Sequence, residues 1–511
     1  MKFYNTLSTK IEEFKPSQGE ISMYVCGITP YSPPHIGHAM RGVIFDVLKR
    51  YFIYKGYKVK HIENFTDIDD KMIENASRLK ITTHELAQKN IDVYLGEMDS
   101  LNISRADLYP KATEEISYII KIIERLIETD YAYESNGDVY FRVSKFSTYG
   151  KLSHRNISDL LAGARIEPSQ YKEDDMDFAL WKSKKPNEPS WSSPWGEGRP
   201  GWHIECSAMS LKYLGNSIDI HGGGQDLIFP HHENEIAQTE AYTSIDPMAK
   251  FWIHNGLLRL GETKMSKSIG NIISLYEALE NHSVNALRLF FLSSYYRSPL
   301  VYSKENLEAH EKGAERLITA CSPNIIENPS SIMDAAKYED EFITEMDNDF
   351  NTPRAIATLF DLAREINRCK EIDIDVSKAQ LILIKLASIL GLSIQSTIQK
   401  QDTSKTNIVP VILSIHNHLL TTGLNELAEA IKLEVINCSS ITNKIFESGD
   451  TPTKTENLFD EQSNLIDTLI KTRNKLRVLK EFEIADQIRT ELEASSIVLE
   501  DKSDGTTWKL K

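Results

Sequence analysis

The stretch that decides the fold is ISMYVCGITPYSPPHIGHA, residues Ile21–Ala39. Ile21–Cys26 has the pattern of a strand, and a proline-broken loop then leads into a helix predicted from His38 to about Lys55. A second predicted strand, Lys58–Asn64, follows this helix. Strand, crossover helix and strand in this order predict a parallel βαβ unit, and the fold class is therefore α/β.

Several chemically useful residues follow these strands directly. Cys26, His35 and His38 come at or after the end of the first strand, and Thr66 follows the second. Ligands of parallel sheets bind at the carboxyl ends of the strands. The sequence therefore predicts a binding site at this edge of the sheet.

A later stretch, DIHGGGQDLIFPHHENE at Asp219–Glu235, combines two further signals. A short strand over Ser217–His221 is followed by three glycines, which predict a sharp turn. A proline-opened helix then carries His231 and Glu235 four residues apart, on one helical face. His232 is spaced equally well for a metal site, and an exposed polar pair beside a glycine turn is the alternative interpretation.

The amino-acid composition indicates where the protein is located in the cell, but not which reaction it catalyses. The 511 residues are 41% hydrophobic and 26% charged, as in globular proteins of several domains. The chain has no apolar run of about eighteen residues, as a membrane span would need, and its start resembles no secretory signal. Five scattered cysteines favour reduced thiols and a cytoplasmic location. Because the net charge is −16, nucleic acid would have to bind through a local basic face.

Two motifs suit a nucleotide polyphosphate. HIGH, His35–His38, opens a helix after a strand, where unpaired backbone N–H groups favour phosphate. A capping histidine beside a tight turn is the simpler interpretation. KMSKS, Lys264–Ser268, lies in a loop flanked by Gly261 and Gly270. Its two lysines could neutralise departing pyrophosphate, or could simply be solvated.

Together and in this order, on either side of an insertion, the two motifs resemble those of class I aminoacyl-tRNA synthetases. YVCG, NFTDIDDK, GWHIECSAM and the Asp219–Glu235 stretch are similar to the cysteinyl-tRNA synthetase family. The resemblance runs to about residue 395, including FNTPRAI at Phe350–Ile356, and resumes over the final fifty residues. Ser32 departs from the pattern, because the family usually carries an acidic residue there.

The resemblance implies a Rossmann-like parallel-sheet catalytic domain with an insertion, a helical bundle and a small C-terminal anticodon-binding domain. The implied boundaries are 1–110 and 200–250 for the two catalytic halves, 111–199 for the connective insertion, 251–310 for the KMSKS-bearing stem-contact region, 311–398 for the bundle and 465–511 for the anticodon-binding domain. Residues 399–464 have no clear counterpart, and a spacer is the simplest interpretation of this expansion.

The resemblance also implies roles for individual residues. One zinc ion per chain would be held by Cys26, Cys206, His231 and Glu235, although two buried unreactive cysteines are the simpler alternative. The cysteine pocket would be lined by Gly27, Thr29, Thr66 and Trp202. ATP, with Mg²⁺, would be contacted by His35, Gly37, His38, Asp226 and Lys267, and the catalytic groups would be His35, His38, Lys264 and Lys267. Anticodon bases would be read by Arg477, Asp486 and Asp501.

The implied activity is activation of L-cysteine with ATP and its transfer to the 3′ end of tRNA(Cys) by a monomer. A metal suits this task because an apolar pocket separates near-isosteric cysteine and serine only weakly, whereas thiolate is a good zinc ligand. One alternative is a cysteine–amino sugar ligase of the mycothiol type, which would lack the anticodon domain. The other is a tRNA-binding paralogue without catalysis.

Overall fold

The computed structural model describes residues 1–16, 19–155, 171–260, 263–264, 273–322, 331–394, 409–438, 459–495, 497–502 and 505–510. The chain divides into two compact units, Met1–Gln395 and Ser396–Lys511. Within the described ranges, no helix has both the length and the apolar character needed to cross a bilayer.

The described strands of the first unit fall into four sheets. They are β1 (Lys2–Asn5), β2 (Lys10–Glu13), β3 (Glu20–Ile28), β4 (Lys58–Phe65), β5 (Ala132–Ser135), β6 (Asp138–Phe141), β7 (Phe178–Ser183), β8 (Trp191–Ser193), β9 (Gly196–Pro200), β10 (Ile218–Gly224), β11 (Ala249–Asn255), β12 (Leu258–Leu260), β13 (Thr263–Lys264) and β14 (Leu300–Tyr302). The second unit adds β15 (Ile497–Lys502) and β16 (Gly505–Leu510).

The described helices of the first unit are α1 (Ile36–Tyr54), α2 (Asp70–Leu79), α3 (Thr83–Ser100), α4 (Ile116–Glu128), α5 (Trp202–Leu214), α6 (Glu233–Thr243), α7 (Leu275–Asn281), α8 (Val284–Leu292), α9 (Lys304–Ala320), α10 (Ala336–Asp347), α11 (Thr352–Lys370) and α12 (Ser377–Ile389). Those of the second unit are α13 (Val409–Thr421), α14 (Asn425–Cys438), α15 (Phe459–Val478) and α16 (Phe482–Ala494).

The central sheet confirms the predicted α/β class. Its four strands are parallel in the order β11-β10-β3-β4, and α1 is the crossover between β3 and β4. The helix begins two residues before the predicted His38, because the side chain of His35 caps its first turn. Val43, Val47 and Leu48 of α1 are buried against the sheet.

The predicted connective insertion, residues 111–199, is more regular than its composition suggests. β5-β6-β7-β9-β8 form an antiparallel sheet that shares a core with α4 and with the apolar face of α5. Residues 184–205 are rich in proline and tryptophan and therefore predict a loop, yet this run contains β8 and β9. The prediction is wrong because cross-strand pairing and burial outweigh a composition typical of loops.

The sequence has the pattern of a further strand over Lys250–Leu260, and the structure divides this stretch into two strands. β11 completes the central sheet, whereas β12 pairs with β13 and β14 in a separate sheet. The break falls at Gly256, where a Cβ would lie 2.2 Å from the carbonyl oxygen of Ser298. Close backbone approach therefore redirects the chain at this glycine.

A buried ion pair joins α1 to α8, one of the helices that follow β12. Arg288 of α8 is fully buried, and its guanidinium donates to Asp46 of α1 at 2.6 Å and to the carbonyl oxygens of Leu390 and Leu101 at 2.8 and 2.9 Å. Arg50 also donates to Asp46, at 2.9 Å. A charge this buried is tolerated only because its donors are matched with acceptors.

The second unit has one core of its own. Apolar side chains of α13 and α14 pack with those of α15, α16 and the β15–β16 hairpin around Trp508, which is 7% exposed. The sequence of the last fifty residues has the pattern of a helix pair followed by a short strand and a turn, and the structure contains α15, α16 and the β15–β16 hairpin there. However, α13 and α14, which lie within the 399–464 expansion, belong to the same core, so these two helices are not a spacer.

Candidate active site

Four metal-ligating side chains from distant parts of the sequence converge at the carboxyl end of β3. Cys26 is on β3, Cys206 on α5, His231 on a π turn over Ile228–His232, and Glu235 on α6. Their donor atoms all lie within 4.8 Å of one another, and every one of these side chains is at most 3% exposed. Fold geometry thus gathers donors that the sequence separates by up to 209 positions.

Direct contacts fix the donors in place. Glu235 Oε1 accepts a hydrogen bond from Cys26 Sγ at 3.3 Å and lies 3.1 Å from Nε2 of His231. Nδ1 of His231 is 2.9 Å from Nδ1 of His203, and its ring stacks on the indole of Trp202 at 4.2 Å. The ring of His231 therefore has a partner on each nitrogen and on one face, which sets its orientation.

A second combination of donors shares two members with the first. Cys26, His221, His232 and Glu235 also lie within 4.8 Å of one another. Nε2 of His221 is 2.9 Å from Glu235 Oε2, and Nδ1 of His232 is 2.8 Å from Nε2 of His254. This second set has one thiol rather than two. Because thiolates are the soft ligands that zinc favours, the second set suits zinc less well than the first.

The electrostatics of the cluster separate the two thiols. A hydrogen bond from Cys26 lowers the pKa of Cys206 to about 6, whereas burial and the thiol of Cys206 raise the pKa of Cys26 well above its usual value. Burial opposes protonation of His231, but Glu235 and Cys206 outweigh it and raise the pKa of His231 to about 10. Cys206 is therefore the more acidic of the two thiols, and it lies beside an imidazole whose protonated form is stabilised.

Asn64 links the donor cluster to the predicted cysteine pocket, and sequence reasoning missed it. Its Oδ1 accepts from the backbone N–H of Gly27 at 2.9 Å and from Cys206 Sγ at 3.6 Å, and its amide donates to Thr66 Oγ1 at 3.4 Å. The indole of Trp202 is 41% exposed above His231, and Thr29 lies just past the end of β3. Asn64 opens the NFTDIDDK motif, which was the available signal.

The three glycines of the Asp219–Glu235 stretch do not form the predicted turn. They are the last three residues of β10, paired with Ile253, His254 and Asn255 of β11. A Cβ on Gly222 would lie 2.3 Å from the ring of Phe45, and one on Gly223 would lie 2.9 Å from the ring of His232. Gly222 and Gly223 therefore make room for neighbouring rings. The predicted proline-opened helix is also wrong in its start: Pro230 lies within the π turn over Ile228–His232, and α6 begins only at Glu233.

Gly222→Ala is therefore expected to lower the free energy of unfolding of the first unit by about 1–3 kcal/mol, the usual cost of overpacking a dense core. Urea denaturation followed by tryptophan fluorescence measures this. Gly96→Ala is the matched control, because nothing lies within 4 Å of the added Cβ in α3. Alanine there is expected to stabilise by up to about 1 kcal/mol. Equal stability of the two variants would contradict the steric explanation.

The HIGH histidines cap their own helix. Nδ1 of His35 accepts from the N–H of Gly37 at 3.1 Å, Nδ1 of His38 accepts from the N–H of His35 at 3.3 Å, and the two rings stack at 3.7 Å. The N–H groups of Ile36 and His38 donate to the carbonyl oxygens of Ile273 and His35. The predicted unpaired N–H groups at this helix start therefore already have partners, and the capping role holds.

The structure describes the other predicted ATP-binding residues to different extents. Asp226 follows β10 and lines a surface pocket of about 400 Å³ together with Gln225, Arg155 and Leu257. The backbone of Lys264 lies in β13, whereas Lys267 lies outside the described residues.

The predicted anticodon residues lie in the second unit. Arg477 and Asp486 are exposed on α15 and α16, and Asp501 lies on β15. Arg477 belongs to the basic run Lys471–Lys480, which forms the end of α15 and the turn that follows it.

Comparison with known families finds two domains, and both lie in the first unit of the chain. Residues 13–312 match the family described as tRNA synthetases class I (C) catalytic domain, and residues 341–395 match the DALR domain. The chain is 50% identical to a cysteine–tRNA ligase of Dehalococcoides mccartyi, over 100% of both proteins. It is 42% identical to the cysteine–tRNA ligase of Geobacillus thermodenitrificans, over 100% of this chain and 99% of that protein.

Solved structures show the same fold. Mycobacterium tuberculosis methionyl-tRNA synthetase in complex with methionyl-adenylate superposes with a TM-score of 0.54 at 17% identity, covering 73% of this chain and 90% of that one. At this identity the likeness concerns the fold alone.

Proposed function

Because the chain belongs to the cysteine–tRNA ligases, a family of class I tRNA synthetases, we propose that zinc held by Cys26, Cys206, His231 and Glu235 selects its substrate. The protein is an ATP-dependent aminoacyl-tRNA ligase, and the predicted family and activity are confirmed. The observation that carries the zinc proposal is the convergence of two thiols, one imidazole and one carboxylate within 4.8 Å.

The donor set fits zinc in its chemistry. Two thiolates, an imidazole and a carboxylate are all suitable Zn²⁺ ligands, and burial protects the cluster from solvent. His203 and Asn64 supply the outer contacts that such ligands usually have, to His231 and Cys206 respectively. A bound zinc ion would supply a soft ligand position for the substrate thiolate, which a neutral serine hydroxyl fills poorly.

The surrounding residues would hold the rest of the amino acid. Gly27, Thr66 and Trp202 are gathered beside the donor cluster, with Thr29 next along the chain. We propose that they form the wall of the cysteine pocket, so that the carboxylate is directed towards ATP. Fixing this orientation removes much of the entropic cost of bringing two reactants together.

The nucleotide would lie on the other side of the amino acid. We propose that His35, Gly37 and His38 contact the ATP phosphates, that Asp226 binds the ribose, and that Lys264 and Lys267 neutralise the departing pyrophosphate. Because the N–H groups at the start of α1 already have partners, the phosphate contacts would come from the imidazoles. The cysteine carboxylate would attack the α-phosphorus while the bond to pyrophosphate breaks, with Mg²⁺ balancing phosphate charge.

The second unit supports transfer to tRNA rather than to a small acceptor. Its exposed basic helix end carries Arg477, and Asp486 is exposed on the neighbouring helix. We propose that these residues and Asp501 contact the anticodon of tRNA(Cys). A cysteine–amino sugar ligase has no use for such a unit. We also propose that the protein acts as a cytoplasmic monomer.

Cysteine-dependent ATP–pyrophosphate exchange tests the function directly. The purified protein is expected to catalyse exchange between pyrophosphate and ATP only when cysteine is present. It is then expected to transfer cysteine to tRNA(Cys) but not to a glucosamine-containing acceptor. An active exchange reaction with no tRNA charging would favour the amino sugar alternative. Binding of tRNA without exchange would favour the non-catalytic paralogue.

A further inference from the structure

The strand that carries Cys26 is irregular at that residue. β3 and β4 pair in regular parallel register up to Val25 and Glu63, and pairing resumes at Ile28 and Phe65. Two residues of β3, Cys26 and Gly27, therefore oppose the single residue Asn64. Such bulges bend a strand and redirect its side chains, and they are frequent beside active sites.

Side chains bind the backbone groups of the bulge. The N–H of Gly27 donates to the side chain of Asn64 at 2.9 Å. The carbonyl oxygen of Cys26 accepts a hydrogen bond from Nη1 of Arg41, which is only 7% exposed. The position of Cys26 thus depends on where the Arg41 guanidinium is held.

A buried network holds that guanidinium. Nη2 of Arg41 donates to Glu63 Oε1 at 2.5 Å and to the phenol oxygen of Tyr94 at 2.9 Å, and the phenol donates to the same Glu63 oxygen at 2.6 Å. Glu63 is 7% and Tyr94 1% exposed. Charged hydrogen bonds in so dry a setting are strong and leave the guanidinium little freedom.

We propose that Arg41, Glu63 and Tyr94 form a positioning network for Cys26, which fixes its thiol for metal binding. This inference rests on the zinc site of the proposed function. Arg41 lies three residues after His38 on α1, so the network also ties the helix of the HIGH motif to the thiol that would bind the metal. The network thereby fixes the distance between the HIGH motif and the Cys26 thiol.

Tyr94→Phe tests the network with little change in shape, because its ring keeps the edge contact with Phe65 at 5.7 Å. Zinc affinity, measured by competition with a chromophoric chelator, is expected to fall about 10-fold, the usual cost of losing an outer contact of a ligand. Glu63→Gln is expected to cost up to about 100-fold, because it also leaves the buried Arg41 charge without its counterion. The thiolate-to-cobalt charge-transfer band of the Co²⁺-substituted variants is expected to shift.

Tyr51→Phe is the matched control. Tyr51 is a buried tyrosine on α1 whose phenol donates to Asp347 at 2.6 Å, away from Cys26. Loss of the Tyr51 hydroxyl is expected to leave zinc affinity and the cobalt spectrum unchanged. Wild-type zinc affinity and cobalt spectra in both Tyr94→Phe and Glu63→Gln would overturn this inference while leaving the zinc site standing. A wild-type protein that binds no zinc would overturn the site and this inference together.

Discussion

Replacing Cys206 by serine is expected to empty the metal site and to reduce the preference for cysteine over serine by about 10²–10³-fold. A site built around a specific substrate group can reject an analogue by about 10⁴–10⁵-fold, whereas a pocket that relies on shape alone reaches only about 10²-fold. Cys206 has the pKa of about 6, lowered by its hydrogen bond with Cys26, so it supplies the thiolate that is most readily formed. The ratio of kcat/KM for the two amino acids in ATP–pyrophosphate exchange measures the effect.

Elemental analysis of the same samples separates loss of metal from loss of fold. One zinc ion per chain is expected in the wild type and close to none in Cys206→Ser. Cys321→Ser is the matched control, because Cys321 is a buried free cysteine at the end of α9, outside the donor cluster. Unchanged zinc content in Cys206→Ser would refute the site as proposed.

Asp46→Asn is expected to lower the free energy of unfolding of the first unit by about 3–5 kcal/mol, since removing one partner leaves a buried charge uncompensated. The charge in question is that of Arg288, which has no exposed side-chain surface. Five of the six tryptophans lie in Met1–Gln395, so tryptophan fluorescence in urea follows this unit. Asp361→Asn is the control: its pair with Arg364 is exposed, and its loss is expected to cost less than about 1 kcal/mol.

The effect of Asp46→Asn should depend on pH in a defined direction. Burial by itself raises the pKa of the Asp46 carboxyl, but Arg288 and Arg50 outweigh burial and leave that pKa below its usual value. A lowered carboxyl pKa stabilises the folded state at every pH above the unfolded value of about 3.9, and the stabilisation disappears as the pH falls through the folded pKa. The difference in the free energy of unfolding between Asp46→Asn and the wild type should therefore be largest at pH 7 and become smaller as the pH falls. A constant difference would show that packing, not charge, carries it.

The expansion at residues 399–464 shows where pattern reasoning stopped. Residues 411–433 within it have an amphipathic helical pattern, but the order of residues does not tell which apolar surface such helices cover. In the structure, Ile415 of α13 and Ile431 of α14 are buried with Ile466 and Leu469 of α15. Membership of a core depends on partners distant in sequence, so spacer and core helix look alike until the chain is folded.

The sequence by itself determined the α/β class and the family, because strand–helix–strand order and the signature motifs are local patterns. It predicted the four donor residues only through the family resemblance, because the residues alone left His232 as an alternative ligand. Only the tertiary structure decided what the glycines after His221 do, which histidine orients His231, and why Asn64 and Arg41 matter for the two cysteines. Those roles depend on distances of a few ångströms between elements up to 209 positions apart. A residue's neighbours along the chain say little about such contacts, because close packing of sheet and helices creates them.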